Sequence, residues 1–396
     1  MTLMIGSMIA KAQKAYVTND ISNSVSVVDV TTNTLVATIP VGGDPYGVSV
    51  SLDGSKVYVT NYYDTTVSVI NTATNSVTST IRVGADPLGI VVNQDGSRVY
   101  VCNAGDNTIS VINSIVDTVI ATIPVGNHPF GVSVSPDGTK VYVANGDVNG
   151  TVSVINTSTN NVFTTITVGD TPEGVTVSPD GSKVYVTISY SYNIKVINAA
   201  TNTVSDSIAV NGPYAISISP DGSKAYVSNI WDSTVTVINT IADTVLAIIP
   251  VGVGPWGISV SPDGSKVYVA KYSSNTIIVI NTATNTVSDT IPIGHGPIAF
   301  GNFISSHISG ILSLTTPTPT LSLYPNPSKG IFTISTTSNQ TPKDIMVYDV
   351  LGNIIYQQLK EKEPTVTIDL STRAKGVYFV KVIENTRVSL SKVVLN

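Results

Sequence analysis

Three histidines, one cysteine and a scatter of carboxylates are all that this 396-residue chain offers to bond-making chemistry. A Ser/His/Asp set needs an imidazole within reach of its nucleophile, and only His128 and His295 fall in equivalent connecting loops. Together with Glu173 they form one acid–base constellation, the makings of a lyase or hydrolase site. Cys102 stands where Thr18, Thr60, Ala144, Thr187, Ser228 and Ala270 stand in equivalent segments, so it reads as a small interior residue and not as a chosen thiol. Asp44, Asp86, Asp170 and Glu173 could face a cation. No compact oxygen-ligand loop of the DxDxDG kind occurs, however, and Asp in a connecting loop serves most simply as a turn former. The expectation is a protein without catalytic residues, metal or cofactor.

The elements that must position these residues follow from a repeat. The segment YVTN begins at Tyr16 and Tyr58 and recurs in variants at Tyr100, Tyr142, Tyr185, Tyr226 and Tyr268, with spacings of 42, 42, 42, 43, 41 and 42 residues. A period of that size holding four short strands is a propeller blade. In one copy, GVSVS (131–135) alternates as a strand, and Ser-Pro-Asp-Gly then places Pro and Gly where a type I turn prefers them. KVYVAN (140–145), TVSVIN (151–156) and VFTTITV (162–168) supply three more strands rich in β-branched residues. The first copy starts at its second strand, KAYVTN (14–19), and the missing first strand appears at the other end as PIAFGNFI (297–304). The expected fold is all-β: a closed seven-bladed propeller over 14–310 whose C-terminal strand completes the first blade, which leaves no open ends.

In such blades the Asp-Gly turns lie on one face and hardly vary, as hairpin register demands. The turns between second and third strands and the blade-to-blade crossings lie on the opposite face and vary strongly. Seven propeller tyrosines outside the repeat, Tyr46, Tyr62, Tyr63, Tyr190, Tyr192, Tyr214 and Tyr272, all fall on this variable face, with Trp231, Trp256 and Phe130. Glu173 stands where other copies carry Tyr46, Phe130, Tyr214 and Trp256, just after the crossing proline at the channel mouth. Exposed aromatics give contact area at low entropy cost and stack on sugar rings. These eleven residues are therefore the candidate contacts for a polysaccharide or protein; the other packing open to the aromatics folds them back as plugs over the blade tops.

The charge balance excludes one class of partner. The first 310 residues carry 11 basic and 20 acidic side chains, which would repel a phosphate backbone, so no nucleic-acid partner is expected. Charged residues make up only 12% of the chain, about half the usual share of roughly 25%. No apolar run is long enough for a transmembrane helix.

The YVTN blades, with VxVIN and Pro-Asp-Gly around them, resemble the YVTN family of β-propellers of bacterial and archaeal cell surfaces and surface layers. Ile188 and Lys271 depart from the motif by replacing its Asn. The resemblance implies a secreted or surface protein, sometimes a scaffold, and no single activity; a purely structural surface-layer unit is one form it takes. Past a Thr/Pro linker (311–320) the composition shifts, with 9 of the 20 basic residues beyond residue 310. Six alternating stretches between 331 and 394 then give a small Ig-like β-sandwich pattern. Tyr324-Pro325-Asn326-Pro327 with Gly330, VYDVLGNII with Tyr348 and Gly352, LSTRAKGVYFVKV with Gly376 and Tyr378, and a terminal KVVLN with Lys392 resemble the type A C-terminal sorting domain of the type IX secretion system. That resemblance, over 321–396, implies the type IX machinery as partner and a secreted or outer-surface location in a Gram-negative bacterium. Residues 1–13, with a short apolar stretch and Ala10-Lys11-Ala12 before Gln13, read as the remnant of a signal peptide. Six Asp-Ser/Thr triplets, such as Asp117-Thr118-Val119 and Asp243-Thr244-Val245, resemble O-glycosylation acceptors of proteins exported by this route.

Overall fold

The computed structural model describes residues 13–305, 322–335, 343–349, 354–361, 363, 365–384 and 387–396. Residues 1–12 of the expected signal-peptide remnant, the linker 311–320 and Gly352 lie outside them. The chain divides into two compact units, Met1–Ile311 and Leu312–Asn396.

The first unit is a succession of antiparallel sheets, six of four strands and one of three. Blade 4 shows the plan: Pro129–Val134, Lys140–Asn145, Gly150–Asn156 and Asn161–Gly169 pair in sequence order. Between the first two strands Gly138 adopts φ 71° and donates its N–H to the Ser135 carbonyl oxygen at 2.8 Å. Asp137 accepts from the Thr139 N–H at 3.0 Å, and equivalent carboxylates do the same in other blades. Hydrogen bonds of this kind, the Ser178 hydroxyl's first among them, lower the Asp180 carboxyl to about 2.

The Tyr, Asn and Thr of the repeated motif each have a physical task. The seven strand tyrosines are buried between blades at 1% exposure or less. The Asn side chain clips its strand to the next: Asn61 Nδ2 donates to Thr66 Oγ1 and Ser68 Oγ, both at 2.9 Å. Asn19, Asn103, Asn145 and Asn229 do the same with hydroxyls at equivalent positions. Where Ile188 and Lys271 replace Asn, the deeper hydroxyl is gone as well, and Lys195 and Ile278 stand in its place. The Thr joins neighbouring blades: Thr60 Oγ1 donates to the Leu88 carbonyl oxygen at 2.8 Å, and Thr18 to that of Tyr46. Cys102 holds the same position without that bond, fully buried, with its thiol pushed far up by burial.

A latch that the sequence reading left unexplained runs along the Asp-Gly face. In six blades the basic residue opening the second strand reaches the third–fourth turn of the next blade. Lys56 Nζ meets the Ser114 carbonyl oxygen at 2.7 Å and Asp117 at 2.9 Å, while Lys183 meets Thr240 at 2.8 Å and Asp243 at 2.6 Å. Arg98, Lys140, Lys224 and Lys266 make the corresponding bonds. Asp117 and Asp243 of the acceptor-like triplets are thus ion-pair partners.

The ring closes through the expected strand, but not in the expected form. Pro297 bridges Asn19 and Ile304 bridges Ala15, antiparallel, so the three-stranded sheet gains its fourth member. Between those bridges the segment holds two more residues than other first strands, which opens the ladder into a loop with positive φ at Ala299 and Gly301. The loop bonds to both neighbours, Val48 N–H to Phe300 at 3.0 Å and Gly257 N–H to Ile298 at 2.8 Å.

In the second unit, Ser322–Tyr324, Ile331–Ser335 and Thr365–Asp369 form one sheet. Ile354–Glu361, Lys343–Tyr348, Gly376–Glu384 and Arg387–Leu395 form the other. Phe332, Ile345, Ile368, Val380 and Val393 share the core of this unit. The Asn326 side chain accepts the Val394 N–H at 3.0 Å and Ser328 N–H donates to the Val394 carbonyl oxygen at 2.7 Å. The first and last motifs of the unit are thereby stitched together. Gly330, at φ 111°, lies so close to Ser371 that a Cβ would come within 2.5 Å of its Cα. Tyr378 is buried and donates to the Ala374 carbonyl oxygen at 2.7 Å; Tyr324 is exposed. Lys392 pairs with Phe379 on the last strand.

Candidate functional site

On the variable face each blade presents one residue at the channel mouth, and the backbone explains how. The first strand carries a bulge just after its proline: Pro45 pairs with Asn61 but Val48 with Val59, and five other blades repeat the shift. A bulge re-aims the extra side chain, here Tyr46, Leu88, Phe130, Glu173, Tyr214 and Trp256. The following Gly47, Gly89 and Gly131 must be glycine, because a Cβ there would come within 2.2 Å of the next blade's carbonyl oxygen. The residue before each proline has positive φ, near 50° at Asp44, Asp86 and His128. Asp and His tolerate that left-handed backbone better than most side chains. Their presence at the mouth thus has a conformational cause.

The mouth is closed. Phe300, carried inward by the two extra residues of the closing strand, sits 5.1 Å from Phe130, 5.7 Å from Tyr214 and 6.2 Å from Tyr46, ring centre to ring centre. Trp256 packs edge-on to Tyr214 at 5.0 Å, and the Tyr46 and Tyr214 hydroxyls are hydrogen-bonded to each other. Burial raises both phenols far above their usual pKa. Tyr46, Phe130, Tyr214 and Trp256 pack on one another and on Phe300, the arrangement of the alternative in which the aromatics fold back as plugs. Phe300 was missed. The signal for it was length, since Pro297 and Ser305 stand two residues further apart than Pro45 and Ser51.

Glu173 is the one carboxylic acid at the plug positions. Burial raises its carboxyl to about 7, with the hydrogen bond from Ser189 pulling the other way. His128 stacks on Phe130 at 6.1 Å, and His295 Nδ1 meets Asn275 Nδ2 at 3.1 Å. Among the described residues no hydrogen bond or ring contact joins either histidine to Glu173, and no group of three His, Cys, Asp or Glu residues could hold a metal ion.

Outside the plug the remaining aromatics divide by exposure. Tyr62 and Tyr272 are half-buried; Tyr272 packs at 5.4 Å on Trp256, and burial, helped by the Asp20 carboxylate of blade 1, raises its phenol. Tyr63 is 78% exposed on blade 2. Tyr190 and Trp231, each 58% exposed, lie 6.2 Å apart on adjacent blades 5 and 6, with Tyr192, 55% exposed, in the same loop as Tyr190. Trp231 lies against Gly212, where a Cβ would come within 2.0 Å of its ring. Asn211 Nδ2 bonds Asp232 at 3.3 Å beside it. On the opposite face the channel is open, a funnel of about 490 Å³ lined by the ends of the first strands.

Residues 7–98 match the family model described as a YNCE-like β-propeller, and residues 322–396 match the secretion system C-terminal sorting domain. No curated protein matches the chain. Among solved structures, Kuenenia stuttgartiensis hydrazine synthase is similar at 23% identity and a TM-score of 0.64, covering 72% of this chain and 99% of that one. A functionally unknown protein from Desulfotomaculum acetoxidans is similar at 18% identity and the same TM-score, covering 73% and 100%. At these identities the likeness is one of fold. No helix among the described residues is long and apolar enough to cross a membrane. The chain is thus a β-propeller followed by a sorting tail of the kind that directs export by type IX secretion to the cell surface or beyond.

Proposed function

We propose that this exported propeller is a non-catalytic binding protein that holds a cell-surface or extracellular polysaccharide on the outer rim of its variable face. The observation that carries the reading is the pair Tyr190 and Trp231: two large rings left in solvent on adjacent blades, while the plug aromatics nearby are packed away. Exposed rings cost free energy unless something covers them, and a flat ring beside an amide and a carboxylate matches a sugar's C–H face and hydroxyl edge. Asn211 and Asp232 provide that polar margin. The enzyme reading needs Glu173, His128 and His295 around one substrate; the separate partners of the two histidines lend it no support.

The full chain should sediment with at least one insoluble polysaccharide from a panel of cellulose, chitin and peptidoglycan. Its tryptophan emission should shift saturably with soluble fragments of that polymer. Trp231→Ala should abolish both signals, and Tyr190→Ala should weaken them by about tenfold, as hot-spot aromatics do. Binding unchanged in Trp231→Ala, or none across the panel, sinks the reading.

A further inference from the structure

The channel is blind: sealed by the aromatic plug on the variable face and open as a funnel on the Asp-Gly face. Its volume of about 490 Å³ falls within the roughly 300–1,000 Å³ of small-molecule sites. We propose that this funnel is a second binding site, for an uncharged carbohydrate of up to disaccharide size.

Three features of the lining select that chemistry. First, serines line the cavity. Ser49, Ser133 and Ser217, in blades 2, 4 and 6, each accept a backbone N–H from the neighbouring blade, from Val92, Val177 and Val260, at 3.1–3.2 Å. An Oγ that accepts still has its own proton to donate, and among the described residues no protein acceptor takes it. Asn302, from the closing insertion, adds an amide whose Oδ1 already accepts from Ser259 at 3.2 Å.

Second, the spaces between these donors are apolar, filled by branched aliphatics and by prolines such as Pro136 and Pro179. A pyranose has the matching pattern of C–H patches and oxygen edges. Third, no charged side chain lines the cavity. Around it each turn aspartate is followed three residues later by Lys or Arg, from Asp53 and Lys56 to Asp263 and Lys266. The rim therefore favours neither sign, and a charged ligand would lose hydration for no compensating partner.

Calorimetric titration of the full chain with cellobiose, maltose and N,N′-diacetylchitobiose tests this. At least one should bind saturably, and the same sugar bearing a carboxylate or a free amine should bind at least tenfold more weakly. Val91→Phe fills the funnel without removing a hydrogen bond and should cost at least tenfold in affinity. Ser133→Val with Ser217→Val should do the same, and a retained circular-dichroism spectrum and melting profile guard against misfolding. Trp231→Ala, on the other face, should leave this binding unchanged, which separates this site from the rim site. The proposal is overturned if no neutral sugar binds, if charged analogues bind equally, if Val91→Phe binds normally, or if Trp231→Ala removes the binding.

Discussion

Glu173 shows how one residue in a repeat can be tuned by its surroundings. Other blades place an aromatic or aliphatic side chain at its position, so the carboxyl inherits a dry site. The Ser189 hydroxyl has a single proton and faces two acceptors, Glu173 Oε2 and the Pro213 carbonyl oxygen at 2.7 Å. Folding raises this carboxyl from 4.5 to about 7, chiefly by burial. The folded state keeps the proton over a range in which the unfolded chain has released it. Stability from this site is therefore full at low pH, falls as pH rises from 4.5 to about 7, and stays level above that. Glu173→Gln cannot ionise, so it should be more stable than the parent at about pH 8 by on the order of 3 kcal/mol. Near pH 4 the two should be equal, and denaturant midpoints at both pH values decide it. A difference of the same size at both would mean that the carboxyl is not held neutral.

Single elements repeat the lesson, because each blade is a natural variant of its neighbours. The Asn clip and its deeper hydroxyl are lost together at Ile188/Lys195 and Lys271/Ile278. Asn61→Ile alone would strand the Ser68 hydroxyl and should cost about 1–3 kcal/mol, the usual penalty for an orphaned buried polar group. Adding Ser68→Lys reproduces the blade 5 pair and should recover part of that loss, a coupling that a double-mutant cycle in urea reads directly. Additive losses would mean that the two positions do not act as a unit. Phe300 is the opposite case, a feature with no counterpart elsewhere. Truncating it to alanine removes the centre of the plug and should cost about 3–5 kcal/mol, as other buried phenylalanines do. A melting temperature unchanged in Phe300→Ala would contradict the packing described here. The strands themselves were legible because β-branched alternation and Pro-Asp-Gly turns are local signals. The plug was not, because it depends on which rings meet across the channel, and residues from Tyr46 to Phe300 are brought together only by closure. The basic latch was hidden for the same reason: Lys56 and Asp117 are 61 residues apart in the chain.

At the scale of the whole molecule, the two units have separate cores and separate tasks. The ring is self-sufficient: its first and last segments bond to each other through Tyr16 N–H to the Phe303 carbonyl oxygen at 2.8 Å and Ile298 N–H to that of Thr18 at 3.0 Å. The closure of the ring uses no residue beyond 305, so the propeller is expected to fold without residues 312–396. The sorting unit is organised differently. Its first motif is held by its last strand through Asn326 and Ser328, which makes the end of the chain structural as well as a signal. These two facts separate folding from export. A chain ending at Ile311 should melt at the temperature of the propeller transition in the full protein, with the same tryptophan emission, yet remain inside the cell. Asn326→Ala in the full chain frees the Val394 N–H and should weaken the sorting unit by about 1 kcal/mol. Export should fall in that variant while the propeller transition stays where it was. Cell-fractionation blots paired with calorimetric scans of the purified chains check both. Normal export of the truncated chain would break the link between residues 322–396 and secretion. A lowered propeller transition would show that the ring draws stability from its neighbour after all.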